Sequence, residues 1–218
     1  MATPPRPSKP SLRRLINFYD PAVQGPDARG RTLEQILAWD DAQLERAHDY
    51  IQLVFPLPEG SVFSLAAPIL DEATFLHWRA RPELQDAMRR VLARMLRFYG
   101  LAIRWEEDGK RVVVTEGRNF EENRHRWVCR GSHNHMRITR ILRSLRVLGL
   151  GREAEAFYGA LREVCDKWGS IGDLSREFWE RAVSEPLYVA PDGEEVEWLE
   201  KYDDDEEEEE EEEEEDDE

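Results

Sequence analysis

The chain has 218 residues, 40% of them hydrophobic, and a formal net charge of −17. That length suits one domain, and no apolar run approaches the ~18 residues of a membrane span: the longest candidate, VFSLAAPIL at 62–70, is interrupted by Ser64 and Pro68. Two cysteines, Cys129 and Cys165, make no disulfide framework and fit a reducing compartment, so the expected location is cytoplasmic or nuclear, not secreted.

The acidity has a single source. All 16 residues from Asp203 to Glu218 are Asp or Glu, and removing them from the 47 acids leaves 31 against 30 Lys and Arg. The remainder is nearly neutral. The expected organisation is a flexible Pro-rich arm over 1–14, a helical domain over 15–200, and a disordered poly-acidic tail over 201–218.

In chain order, Thr32 followed by Gln35 has capping-box spacing and predicts a helix carrying Leu33, Ile36 and Leu37. Asp40 and Asp41 read as the cap of a second, with Leu44, Ala47, Ile51 and Leu53 or Val54 on one face until Pro56 ends it. Asp71 caps a short helix through Trp78. Pro82 opens a longer one whose Leu84, Met88, Val91, Leu92, Met95, Leu96 and Tyr99 keep helical spacing up to Gly100. From Ala102 to Thr115 the pattern turns β-like around Asp108-Gly109, which predicts a hairpin with Glu106, Glu107 and Asp108 in its turn. Helical spacing then returns. Asn119 with Glu122 is placed to cap 120–127, and Ser132 or Asn134 to cap a helix that Gly149 closes. Two more helices follow, one bearing Ala154, Phe157, Leu161, Val164 and Trp168, the other running from Asp173 to Pro186 with Leu174, Phe178 and Ala182 as its face. The fold class is mostly α, a single multi-helix domain with one small β-hairpin.

The stretch of interest lies between Arg124 and Arg152, which holds eight arginines and three histidines and no Asp or Glu. On a helical wheel from Met136, the residues Ile138, Ile141, Leu142, Leu145 and Leu148 share an arc of roughly 120°. Arg137, Arg140, Arg143 and Arg146 spread over the opposite arc. Four planar forks of donors make a candidate anion- or ligand-binding surface, with His133 and Asn134 at its start; the bland alternative is a solvated face paired with acids of neighbouring helices. His133 and His135, two apart, diverge by about 200° on a helix and lack a completing ligand set, so no metal site is expected. The letters His133-Asn134-His135 also spell a nuclease name, but that enzyme's residues are dispersed, not adjacent. There is no G-x-S-x-G, H-E-x-x-H or P-loop, so neither an enzyme nor a cofactor is expected. A nucleic-acid partner is disfavoured because the domain is nearly neutral, whereas the tail offers a polyanion to basic proteins such as histones.

The segment GSHNHMRITRILRSLRVLGLG resembles the signature of the opioid growth factor receptor conserved region, close to R-S-H-N-N-L-R-I-T-R-I-L-K-S-L-x-x-L-G-L. The segments HDYIQLVFP at 48–56, RFYGL at 97–101 and NFEENRHRW at 119–127 are similar to others of that family in the same order. Departures are Leu53, where the family has Trp, and His135, where it often has Asn. The resemblance implies a mostly α fold, a membrane or nuclear association, and a receptor role for the peptide Met-enkephalin; it makes His133, Asn134, Arg137, Thr139 and Arg140 motif positions without assigning them a ligand. A peptide of that kind needs an aromatic-lined cleft, for which Trp39, Trp78, Trp105, Trp127 and Trp168 are candidates. The acidic tail is placed to fold back over the arginine band.

Overall fold

The computed structural model describes residues 9–60, 67–106 and 111–203. Its helices are α1 (Pro10–Tyr19), α2 (Leu33–Leu37), α3 (Asp41–Arg46), α4 (Ile51–Val54), α5 (Glu72–Arg79), α6 (Pro82–Tyr99), α7 (Phe120–Asn123), α8 (Asn134–Val147), α9 (Gly151–Trp168) and α10 (Asp173–Ser184). One antiparallel hairpin, β1 (Leu101–Trp105) and β2 (Val112–Glu116), pairs Leu101 with Glu116 and Trp105 with Val112. Among the described residues, the mostly α class with a single hairpin is the observed one. The tip of the hairpin and the acidic run from residue 204 lie outside the described residues.

Most local signals act where they were read, an exception being Asn119, whose side chain makes no cap to α7. Thr32 and Gln35 form a reciprocal capping box, as do Asp40 and Gln43. Asp71 accepts from the Thr74 amide to start α5. Gly100 ends α6 at φ 84°, a left-handed conformation that a side chain would strain, and a Cβ there would meet Phe120 Cα at 2.7 Å.

Three boundaries differ from expectation. The N-terminal arm is shorter, because a helix starts with Pro10 at its first position, where a proline costs no hydrogen bond. Its Leu12, Leu15, Ile16 and Tyr19 are buried, and the Tyr19 hydroxyl donates to the Val54 carbonyl. The domain also runs past residue 200, since a 3-10 turn at Glu197–Tyr202 buries Leu199 and sets Trp198 and Tyr202 against Phe75, at ring separations of 5.4 and 4.9 Å. Finally, the single helix expected from Asp41 to Pro56 is two: α3 and α4 are separated by an extended Ala47 (ψ 131°).

Most of the buried apolar side chains form one continuous core. α6 packs on α1, α5 and β1; α9 backs β2 and lies beside α8 and α10. α8 and α10 run parallel, because His135 meets Ser175 near their N-termini and Arg146 reaches Glu185 at their C-terminal ends. With α9 and α10 on one side and the chain from Leu44 to Glu59 on the other, α8 is buried around most of its circumference. α8 ends in a Schellman motif: the Leu150 amide donates to Leu145 O, the Gly149 amide to Arg146 O, and Gly149 takes φ 79°.

Candidate functional site: the arginine helix and its clients

A helix end leaves backbone carbonyls without intrahelical donors, and it carries partial negative charge. The arginines of α8 supply what those ends lack. Arg137 donates through Nη1 to Leu44 O at 3.1 Å and through Nη2 to Glu45 O at 3.3 Å and Ala47 O at 2.8 Å, which are carbonyls at the C-terminus of α3. This fork also explains why α3 stops: carbonyls that would accept from the next helical turn are committed to a guanidinium some 90 positions away. Arg140 donates through Nε to Phe55 O at 2.7 Å, at the end of α4. Ser144 Oγ donates to Pro56 O at 2.8 Å. Arg146 donates to the carbonyl of Glu185, the C-cap of α10, at 2.6 Å. Arg143 approaches Glu59, Nε to Oε1 3.4 Å, both buried.

The outward guanidinium band expected from the helical wheel is therefore corrected. Arg137 is 5% and Arg143 1% exposed, and Arg140 and Arg146 are bonded to main-chain carbonyls. The wheel sorts one helix by side-chain polarity; it does not count how many neighbours surround that helix. Burial holds Arg140 down to about 10, opposed by Glu59. A surface that needs four free guanidiniums, for a nucleic acid or for the acidic tail, is not what these side chains present.

His133 and Asn134 divide between edge and interior. Asn134 is fully buried: its Nδ2 donates to Arg126 O at 3.1 Å and Glu45 Oε2 at 3.2 Å, and its Oδ1 accepts from Arg137. Ser132 Oγ accepts from the Asn134 amide, one of the two capping contacts expected; His133 occupies the N-cap without capping. His133 stands half-exposed, its ring 5.5 Å from that of exposed His48 and its Nε2 3.4 Å from Glu45 Oε1. Burial and the Arg137 charge press its pKa below the usual imidazole value, with Glu45 opposing. His135 is interior, bridging Trp127 O (2.7 Å) and Ser175 Oγ (2.8 Å), so it points away from His133. Among the described residues no group of three or more metal-ligating side chains converges.

The tryptophans do not share a cleft. Trp78 and Trp127 are core, and Trp127 donates to Tyr99 O. Trp105 donates to buried Glu153, which also holds Arg89, and Trp168 lies under Arg124 at 3.8 Å. The face expected for α10 is likewise revised: Trp179 and Ala182 point inward, whereas Leu174 is 67% exposed. Met136 on α8 is 54% exposed. Since α8 and α10 are parallel and meet at His135 and Ser175, the residue after the first and the residue before the second each turn about 100° to the same side. Met136 and Leu174 thus flank one edge of the helix pair, an apolar feature that no motif indicated.

The chain matches the family described as the opioid growth factor receptor conserved region over residues 14–159, which takes in the whole of α8 and its clients up to α4. It is 38% identical over 125 residues to the opioid growth factor receptor of Mus musculus, 56% of this chain and 19% of that one, and 37% identical over 124 residues to that of Homo sapiens, 56% and 18%. To the opioid growth factor receptor-like protein 1 of Mus musculus it is 34% identical over 141 residues, 62% of this chain and 28% of that one. The chain thus spans about a fifth to a quarter of the curated relatives it matches. No solved structure matches. No helix among the described residues is long and apolar enough to cross a membrane. With its signature segment forming the clasp at the centre of the fold, this chain belongs to the opioid growth factor receptor conserved-region family.

Proposed function

We propose that this chain is a non-enzymatic, receptor-like binding module for a short peptide, acting in the cytoplasm or nucleus. The reading draws on the receptor names of its relatives, and the observation that carries it is the division of labour along α8. The signature arginines hold the scaffold, while Met136 and Leu174 leave apolar surface beside it. An aromatic peptide such as Met-enkephalin is a fitting occupant, because its Tyr and Phe rings cover apolar side chains of this kind.

Calorimetric titration with Met-enkephalin up to millimolar concentration tests the reading, and saturable heat is expected. Leu174→Asp is expected to weaken binding at least tenfold, since covering a leucine contributes about 1.5–3 kcal/mol. Because Leu174 is exposed, that change leaves stability within about 0.5 kcal/mol. Absence of heat with the unaltered chain overturns the peptide reading. Undiminished binding by the variant moves the peptide to another face.

A further inference from the structure

The corner where α3 gives way to α4 brings together His48, His133, Arg137 and the Glu45 carboxylate, with Asp49 beside them. Arg137 Nη2 points at His48 Nδ1 from 3.3 Å. A guanidinium only donates, so Nδ1 must accept, and the proton of neutral His48 belongs on Nε2. The next proton His48 can take is therefore the one that would face Arg137. His133 stands on the other side, ring centroids 5.5 Å apart. The charged groups around the pair are Glu45 of α3, whose Oε2 already accepts from Asn134, Arg137 of α8, and Asp49 of the connector, which is held by Arg29 and Arg31. With both histidines protonated, three cations share one neighbouring carboxylate that is not tied to Arg29 and Arg31.

We propose that His48 and His133 make the latch between Arg137 and the α3–α4 connector sensitive to protonation, closed while both rings are neutral and opened when both are charged. Protonated His48 cannot keep its contact with Arg137 and swings outward on its exposed side. The connector around Ala47 and His48 follows it, because it joins two short helices and is tied to α8 by the Ala47 carbonyl on the same Arg137 nitrogen. The underlying Tyr50, now 1% exposed beneath the Arg137 guanidinium, then becomes accessible. The depressed affinity of His133 for a proton acts in the same direction, favouring the closed form while both rings are neutral.

The test is amide hydrogen exchange of residues 47–51, corrected for intrinsic rates, at pH 7.5 and 5.5, in the unaltered chain and in His48→Asn, which retains an acceptor for Arg137 but cannot be protonated. The expected result is a three- to tenfold increase in opening for the unaltered chain at pH 5.5 and little change for the variant. Equal pH dependence in both, or none in the unaltered chain, overturns the proposal. Should the variant fail to fold, the imidazole nitrogen spectrum of the unaltered chain decides: His48 is expected as the Nε2–H tautomer at pH 7.5, and the Nδ1–H tautomer refutes the latch.

Discussion

His135 shows how much a single side chain can be asked to do when it replaces the asparagine frequent in its family. Both ring nitrogens are engaged: Nε2–H donates to the Trp127 carbonyl, so Nδ1 accepts from the Ser175 hydroxyl. Its own main-chain carbonyl takes the Trp179 indole proton. Burial pushes its pKa below the ordinary imidazole value, although the Trp127 carbonyl opposes the shift. The sign follows from linkage. Below about pH 6.5 the unfolded chain takes up this proton and the folded chain does not, so stability is complete above that pH and is lost as pH falls toward the folded pKa. The urea midpoint is expected to drop between pH 7.5 and 5.5, and to drop less in His135→Gln. An equal drop in both would assign the acid sensitivity elsewhere. Ser175 was not legible in the sequence as a partner of His135, because the packing of α10 alongside α8 brings it there, whereas the Trp127 carbonyl lies only eight positions upstream.

At the scale of elements, most of the local punctuation was readable, the Asn119 cap excepted. Thr32 with Gln35, Asp71, Pro82 and Gly100 each act within a few positions, through caps or backbone conformation that depend on residue type alone. Gly100 provides a measure. Gly100→Ala places a Cβ at φ 84° within 2.7 Å of the Phe120 backbone, so it is expected to cost about 2 kcal/mol or more and to lower the thermal midpoint by roughly 4–8 °C. A midpoint shift under about 2 °C would mean that the α6–β1 turn relaxes readily. What failed to show were features set by distant chain. A Pro-rich beginning hid the start of α1, although Pro10 is itself a helix-start signal. The division of α3 from α4 follows from Arg137, and the outward Leu174 from which side of α10 meets α8. For the candidate site, the sequence marked the arginine helix and its polar residues, but their direction, inward onto carbonyls instead of outward to a ligand, depends on packing partners some 40 to 90 positions away.

Across the whole molecule, the family match from 14 to 159 is not the whole folding unit, because α10 and the segment to Asp203 add Trp179, Leu187 and Leu199 to the same buried core. One further consequence comes from having a single helix furnish the donors for three helix ends. If α3, α4 or α10 frays alone, a guanidinium loses the main-chain carbonyls that it held, and for buried Arg137 this is more costly than the loss of the bonds themselves. Partial opening is thereby penalised at each client, and the protein is expected to behave as one cooperative unit instead of several foldons. Native-state exchange as a function of denaturant measures this directly: amides of α3, α4 and α10 are expected to merge with those of α8 into one global isotherm. Arg137→Met, which removes the charge along with the bonds, is expected to split α3 and α4 from that isotherm while α10 stays with α8. If the unaltered chain already shows separate isotherms for the three clients, the arginines fasten the helices one by one and confer no cooperativity among them.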